Sequence, residues 1–310
     1  MSKYLIRRLF HSIIIIIGIS IVVFLISRLT GDPISVMVDF DTSEKDRAIL
    51  RKEFGLDEPL PVQYLFFMKN ALRGNFGKSI RYQEPSLDLV LQRLPATIRL
   101  IIFTLFGSLF FAIPIGIISA LKRNSFFDLV GMTFTFLGQS IPSFWLGIML
   151  IMIVGVHFRW LPISGYGGGS LSYVIMPAIT LGAVTMASFA RITRSSMLEV
   201  LSMDYVQTAR AKGLSEFIVI VKHTLRNALI PIVTILGLHV ALLMGGAVIT
   251  EQIFAYPGIG WLAIQSIYNR DFPVIQTIVM LVSIGIVFTN YIIDIIYTII
   301  DPRIHYEQKK

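Results

Sequence analysis

The sequence predicts an all-α polytopic membrane protein with six transmembrane helices. Three observations lead to this fold class: the composition, the long uncharged stretches and the distribution of basic residues. Hydrophobic residues make up 55% of the 310 residues and charged residues 15%, and the mean hydropathy is +0.73. A soluble domain carries about 25% charged residues, so this chain has too few to cover a globular surface. The absence of cysteine excludes a disulfide scaffold, a Cys-ligated metal centre and a catalytic thiol.

Six uncharged stretches are long enough to cross the hydrocarbon core, which takes about 20 apolar residues per helix. They are Leu9–Ser27, Leu100–Leu121, Leu129–Val156, the part of Trp160–Ala190 that begins near Tyr173, Asn227–Thr250 and Phe272–Ile293. The first stretch follows three basic residues, as a signal peptide would. It is too long for a signal peptide and no small-residue cleavage site follows it, so it is interpreted as a retained first helix.

Lys and Arg residues indicate the orientation, because short cytoplasmic loops are enriched in them. With the N-terminus inside, most lie in the inner segments 1–8, 122–128, 191–226 and 301–310, whereas the two short outer loops hold only Arg159 and Arg270. Both termini are therefore expected in the cytoplasm. The predicted layout is a cytoplasmic stub with the first helix (1–29), an extracytoplasmic helical loop (30–97), a core of helices two to six (98–300) with a cytoplasmic segment (195–226), and a cytoplasmic tail (301–310).

The outer loop has the pattern of short helices separated by turns. A turn is expected at 31–33, a helix over 43–55 with Ser43 as its N-cap, and an amphipathic helix over 63–72 after two prolines. Such a loop is either a small helical cap on the outer mouth or a contact surface for a partner protein.

The inner segment predicts two helices joined at a glycine. Residues 197–212 have helical periodicity, Gly213 ends that helix, and Ser215 is placed to cap the next one. Apolar side chains recur every four residues at Met197, Leu201, Tyr205 and Ala209. This apolar stripe needs a partner, and the pattern leaves open whether it packs on the chain's own membrane helices or in the groove of another protein.

Several patterns that would carry chemistry are incomplete. Gly77-Lys78-Ser79 resembles the end of a phosphate-binding loop, but the required glycine five residues earlier is Leu72. The five histidines have no metal-binding spacing, and no serine lies in a Gly-x-Ser-x-Gly motif. We therefore expect no cofactor, no metal site, no catalytic residue and no nucleic-acid partner.

Ionisable residues inside the predicted spans are few, and such residues are functional candidates. His239 and Asp294 lie within spans, and Glu251 lies at the outer end of the fifth. A solute pathway with so little internal charge indicates that the driving force comes from another subunit. Pro142 and Pro231 interrupt apolar stretches and predict kinks of the kind that gates use. Pro257 and Gly258 predict a tight turn that either plugs the outer mouth or is a compact connection.

The inner segment also carries a family resemblance. Residues 204–213 (DYVQTARAKG) followed by 222–231 (KHTLRNALIP) resemble the cytoplasmic signature of the inner-membrane permeases of binding-protein-dependent ABC importers. In its general form that signature is Glu-Ala-Ala, three residues and Gly; here Gln207, Thr208 and Ala209 precede Gly213 at this spacing. The departures are similar to the dipeptide/oligopeptide/nickel branch. Further stretches agree with it along nearly the whole chain, at 4–8, 31–33, 74–79, 93–97, 139–145, 255–260, 270–276 and 301–303.

The resemblance implies a type I ABC importer permease fold in the bacterial inner (plasma) membrane, surrounded by lipid. It implies a heterodimer with a second homologous permease, two cytoplasmic ATP-binding subunits that hydrolyse ATP, and an extracytoplasmic substrate-binding protein. The chain itself would not be an enzyme. The solute would be a dipeptide, an oligopeptide, glutathione or a nickel chelate. A proton-coupled peptide transporter using His239 and Glu251 is the alternative.

The resemblance also assigns candidate residues. Docking of the ATP-binding subunit is assigned to a coupling helix with Asp204, Tyr205, Gln207, Thr208, Ala209, Arg210, Lys212 and Gly213. Candidates for a gate or pathway are Pro142, His239, Glu251, Pro257 and Gly258.

Overall fold

In the computed structural model, residues 2–29, 43–45 and 56–300 are described, and helices account for most of them. The expected turn at 31–33, most of the expected helix over 43–55 and the tail from 301 lie outside the described residues. The helices are α1 (Ser2–Leu29), α2 (Leu60–Ala71), α3 (Ser86–Leu121), α4 (Phe126–Ser140), α5 (Ser143–Leu150), α6 (Ser172–Leu201), α7 (Asp204–Ala211), α8 (Glu216–Ile218), α9 (Arg226–Ile253), α10 (Ile259–Tyr268) and α11 (Phe272–Ile300). π-Helical segments continue α5 over Ile151–His157 and join α8 to α9 over Val219–Leu225.

Among the described residues, five helices are long and apolar enough to cross a membrane, and a bent pair makes a sixth candidate. The five spans are Arg7–Arg28, Ser86–Leu121, Ser172–Leu201, Glu216–Gly245 and Phe272–Ile296. The expected amphipathic helix over 63–72 is also confirmed, as α2. Several helices begin earlier than the uncharged stretches suggest, because a helix continues into water wherever its polar side chains can be solvated.

The predicted span over Leu129–Val156 is a bent pair of helices, which confirms the kink expected at Pro142. Helices α4 and α5 (with its π-helical continuation to His157) meet at an angle of 100°. The break follows from Pro142, which has no amide hydrogen and disfavours helical geometry at the residue before it. Ile141 accordingly has φ −81° and ψ 125°, which is extended backbone. Pro231, by contrast, lies inside α9 without ending it.

The described chain divides into two compact units, one formed by 96–257 with the residues from 289, the other by 2–95 with 258–288. In the first, buried clusters centre on Leu100 and Tyr256, on Met197 and Val206, and on Phe189. In the second, the cluster joins the start of α3 to α10 and α11, and comprises Leu89, Val90, Ile259, Leu262, Val274 and Ile278.

Large apolar side chains also point outward along the spans. Phe106 and Phe110 on α3 are 72% and 73% exposed, and Leu129 and Phe134 on α4 are 68% and 62% exposed. Water would penalise apolar surface on this scale, whereas lipid tails solvate it. The exposed surface is therefore that of a membrane protein.

Candidate functional sites

The inner segment forms an elbow, defined here as residues 202–218, whose geometry is set at its two turns. The expectation of one helix over 197–212 is wrong, because α6 ends at Leu201 and α7 begins at Asp204, after an extended Met203 (ψ 144°). The second turn is at Gly213, whose φ of +75° confirms the left-handed turn expected there. Gly213 N donates to Arg210 O (2.9 Å) and Leu214 N to Ala209 O (3.4 Å), which is the Schellman pattern of a helix C-terminus.

One face of α7 is buried inside this chain. Val206 is fully buried and Ala209 is 5% exposed, and both belong to a cluster with Met197, Val200 and Val219. The expected stripe is thus divided: Met197 and Ala209 pack internally, whereas Tyr205 is 44% exposed. The Ala209 side chain is therefore packed inside this chain. Apolar residues that recur every four positions cannot show whether the stripe packs inside the chain or against a partner protein, since both kinds of packing produce the same pattern.

The other face of α7 carries the remaining candidate docking residues, and they are exposed: Asp204, Tyr205, Gln207, Thr208, Arg210 and Lys212. Apolar side chains that the sequence reasoning did not single out lie beside them, at Met203 (42%), Leu214 (38%), Phe217 (75%) and Ile218 (40%). The sequence signal for these side chains is that apolar residues occur both before Gly213, at Met203, and after it, at Leu214, Phe217 and Ile218, in a segment with many polar residues.

Polar contacts hold the elbow in a defined conformation. The Arg210 guanidinium pairs with the Glu216 carboxylate across the Gly213 turn, with Nε–Oε1 at 2.8 Å. Asn227 Nδ2 donates to the Tyr205 hydroxyl at 2.8 Å, which ties α7 to the start of α9. Ser215 occupies the N-cap position of α8, as expected, although its side chain makes no capping hydrogen bond.

A charged pair that the sequence did not indicate lies next to the elbow. Arg194 on α6 donates from Nε and Nη2 to the two carboxylate oxygens of Asp128 on α4, both at 2.7 Å. Asp128 is buried at 5% exposure and also accepts from Asn124 N at 3.0 Å. A bidentate pair of this kind fixes both distance and orientation, so it anchors the start of α4 to the end of α6.

The gate candidates on the other side of the first unit are packed. Glu251 is fully buried and accepts from Thr97 Oγ1 at 2.7 Å. Tyr256 is also fully buried, its ring 5.4 Å from that of Tyr166, and burial raises the pKa of its phenol to about 12. Gly165 N donates to Phe254 O at 2.8 Å.

The four other gate or pathway candidates have different surroundings. Gly258 is buried as the N-cap residue of α10, and the adjacent Pro257 is half-buried. His239 on α9 is 8% exposed, and its ring centroid lies 4.8 Å from that of Phe189, so its side chain is packed within this chain. Pro142 stands at the break between α4 and α5, beside an apolar cavity of about 590 Å³.

The Gly77-Lys78-Ser79 stretch has a structural role. The Ser79 hydroxyl donates to Asp271 Oδ2 at 2.5 Å, and the amides of Ile80 and Arg81 point to the same carboxylate at 3.2 and 3.3 Å. Asp271 is 1% exposed and directly precedes α11. A phosphate-binding loop aims its amides at a phosphate, whereas here the anion is the protein's own side chain. No group of three or more potential metal ligands occurs in the part of the chain that the structure describes.

Comparison with known families accounts for nearly the whole chain. The family model described as "Binding-protein-dependent transport system inner membrane component" matches residues 112–306, and the corresponding N-terminal model matches residues 1–101. Among solved structures, an inward-facing MetNI methionine ABC transporter aligns with a TM-score of 0.58 at 18% identity, covering 69% of this chain and 96% of that one. At this identity the likeness concerns the fold.

Full-length relatives are more similar in sequence. A probable peptide ABC transporter permease, y4tP of Sinorhizobium fredii, and the oligopeptide transport system permease AppB of Bacillus subtilis are each 42% identical over 99% of this chain and 100% of their own. The glutathione transport system permease GsiC of Escherichia coli is 39% identical over the same shares. Permeases of this kind work with ATP-binding subunits and substrate-binding proteins and are not themselves enzymes. The chain belongs to the family of binding-protein-dependent transport system inner membrane components, as an inner-membrane permease subunit of an ABC importer.

Proposed function

We propose that this chain forms one half of the membrane pathway for uptake of dipeptides, oligopeptides or a related small solute such as glutathione or a nickel chelate. A second, homologous permease would form the other half, two cytoplasmic subunits would hydrolyse ATP, and an extracytoplasmic binding protein would deliver the solute. The peptide and glutathione relatives, at about 40% identity over full length, support this solute class.

The proposal includes an orientation and a layout. Both termini and residues 195–226 lie in the cytoplasm, residues 30–97 lie outside, and residues 98–300 form the core. The bias of Lys and Arg supports it. Because the chain has no cysteine, single cysteines at Ser43, Ser125 and Ser215 can be probed with an impermeant thiol reagent on intact cells. Only the cysteine at position 43 should react; labelling at position 215 would contradict the orientation.

The elbow is the proposed docking site for an ATP-binding subunit, through its exposed face rather than through Ala209. The exposed side chains of the elbow include the apolar or aromatic Tyr205, Leu214 and Phe217 and the cationic Arg210 and Lys212. Aromatic and apolar anchors with a polar rim are typical of protein interfaces.

The packing of α7 explains how docking would reach the membrane. Val206 and Ala209 share one buried cluster with the end of α6 and with Val219 and Ala228, on the π-helical segment and the start of α9. If α7 moved without the residues that it packs against, cavities would open in the cluster, because protein cores are close-packed. Movement of the elbow would therefore be transmitted to α6 and α9 together. The observation that carries the proposal is this combination of one buried and one exposed face on α7.

The docking test uses a side chain that this chain does not need for its own packing. Phe217 is 75% exposed, so Phe217→Asp removes few internal contacts but places a charge in the proposed interface. We expect loss of co-purification with the ATP-binding subunits and loss of ATP-dependent uptake, with insertion and permease pairing retained. Leu72→Asp, at a position 82% exposed on the proposed outer side, is the matched control and should keep the ATPase contact. Wild-type association of Phe217→Asp would contradict this docking face.

The gate residues complete the proposal. The turn at Pro257 and Gly258, with the buried Glu251–Thr97 contact behind it, would close the outer mouth, and the break at Pro142 would allow α4 and α5 to move separately. His239 would serve as a packing residue of the moving helix α9.

A further inference from the structure

Arg191 lies inside the candidate span Ser172–Leu201. Arg191 lies on the exposed face of α6, one turn before Arg194. Arg194 is neutralised by Asp128. Among the described residues, no carboxylate lies within ion-pair distance of Arg191, and its Nη2 donates to the neutral side-chain oxygen of Gln139.

The packing of α4 on α6 shows where this side chain reaches. The two helices are antiparallel: Asp128 meets Arg194 at one end, and farther along a Cβ on Gly138 would lie 3.6 Å from the Ala183 carbonyl oxygen. This register places Arg191 level with the early part of α4, and Gln139 about two turns, or about 12 Å, farther along. The guanidinium therefore extends away from the Asp128 end and toward the break at Pro142.

That direction is the opposite of the usual one. Arginines near the end of a membrane helix ordinarily extend toward the nearby interface, where water and lipid headgroups solvate the charge. In the proposed orientation the nearby interface is the cytoplasmic one. Arg191 instead carries its charge toward the middle of the membrane, where an isolated cation is costly unless it lines a polar path.

A cavity lies beside it, lined by two threonines and two apolar side chains of α4. Arg191 lines a cavity of about 370 Å³ together with Met132, Thr133, Thr135 and Phe136 of α4. Small-ligand sites have volumes of roughly 300–1,000 Å³, so the cavity has room for a small solute. Arg191, Thr133 and Gln139 are exposed on this chain's surface, and a solute could reach them.

We propose that Arg191, held by Gln139, is a transient binding site for the carboxylate of the transported solute on its way through the membrane. The inference rests on the proposed function, since it takes the solute to be a peptide or a similar acid. A guanidinium has five N–H donors in a planar fork, so donation to Gln139 leaves others for a carboxylate. A neutral partner such as the Gln139 amide suits a transport site. A carboxylate of the protein would occupy the Arg191 guanidinium permanently, whereas a transported solute must bind it and then leave.

The test uses the complete importer with its binding protein in proteoliposomes, and two probes: the dipeptide Ala-Phe and its C-terminal amide. Arg191→Gln should lower uptake of the acid about tenfold more than uptake of the amide, which is the loss expected for a charge-assisted hydrogen bond. Gln139→Glu should also lower uptake of the acid more than uptake of the amide, because it gives Arg191 a permanent counter-charge. Arg123→Gln, which removes an exposed cation elsewhere on the chain, is the control and should leave the ratio of acid to amide uptake unchanged.

A second measurement does not depend on transport. Phenylglyoxal modifies arginine, and mass spectrometry of the wild-type complex can follow the adduct at Arg191. Acetate should protect this residue, whereas acetamide should not. If the wild-type complex takes up neither peptide but acetate protects Arg191, the peptide assignment fails and the anion site stands.

Three results would overturn the inference. In the first, Arg191→Gln lowers uptake of acid and amide equally, which indicates a structural role. In the second, wild-type uptake requires phosphatidylglycerol in the liposomes and the variant loses only this requirement, which makes a lipid headgroup the anion. In the third, acetate gives no protection, which indicates that the guanidinium is not open to a solute anion.

Discussion

Replacement of Gly213 tests whether the left-handed turn holds the elbow in its working shape. The residue has φ +75°, and a Cβ added there would meet nothing within 4 Å. The cost of a side chain is therefore one of backbone conformation and not of crowding. For an L-residue the left-handed region costs roughly 1–2 kcal/mol, with β-branched residues at the upper end and asparagine at the lower.

The chain could escape this strain by leaving the left-handed region, but that route has its own cost. It would break the hydrogen bonds from Gly213 N to Arg210 O and from Leu214 N to Ala209 O. At about 1 kcal/mol each, their loss roughly equals the strain that it relieves. Whether the residue stays left-handed or the two hydrogen bonds break, the penalty is about 2 kcal/mol. This corresponds to roughly a 30-fold decrease in the population of molecules whose elbow keeps this turn.

We expect the order Gly, Asn, Ala, Val in falling ATPase association and coupled uptake of the reconstituted importer. Gly18→Ala in α1 is the matched control: a Cβ there also meets nothing within 4 Å, but the residue lies inside a helix. Alanine is favoured over glycine in a helix by about 0.5–1 kcal/mol, so this variant should show no loss. Wild-type coupling by Gly213→Val, or equal loss with Asn and Val, would refute the reasoning.

Three further predictions concern buried contacts. Asp128→Asn should leave the Arg194 guanidinium uncompensated and lower the melting temperature of the purified complex, by the equivalent of about 2–4 kcal/mol; adding Arg194→Gln should recover part of the loss, and a purely additive double variant would argue against the pair. Asp271→Ala should release the turn that begins at Ser79 and speed its cleavage by trypsin, whereas unchanged cleavage would mean that the carboxylate does not hold the turn. Ala209→Asp should reduce the folded yield of the permease itself, since it buries an unpaired charge at a cost of several kcal/mol; normal yield with selective loss of ATPase binding would instead place Ala209 in the interface.

Much of the architecture could be predicted because membrane insertion is governed by properties of short segments. An apolar stretch such as 9–27 must be helical in lipid, since every backbone polar group has to be satisfied internally. The turn at Gly213 could be predicted for a similar reason: a glycine between two helical patterns is the residue that enters the left-handed region cheaply. Neither inference needs knowledge of what the segment packs against.

Other features depended on contacts between distant residues. The pattern placed Ala209 on an apolar stripe and left the partner of that stripe open. Only the packing of α7 against Met197 and Val219 decided that this face is internal. The same holds for Asp128 and Arg194, which are 66 positions apart, and for Ser79 and Asp271, which are 192 positions apart.

The sequence by itself determined the fold class, the approximate spans, the family resemblance and the glycine turn, because each is written in local composition or in a short motif. The tertiary structure decided which face of the elbow is buried, how sharply α4 and α5 bend, and that Arg191 extends toward Gln139 rather than toward the nearby helix end. The physical reason is that side-chain burial and the pairing of charges are set by the register between helices, and a periodic pattern along one helix carries no information about its neighbour.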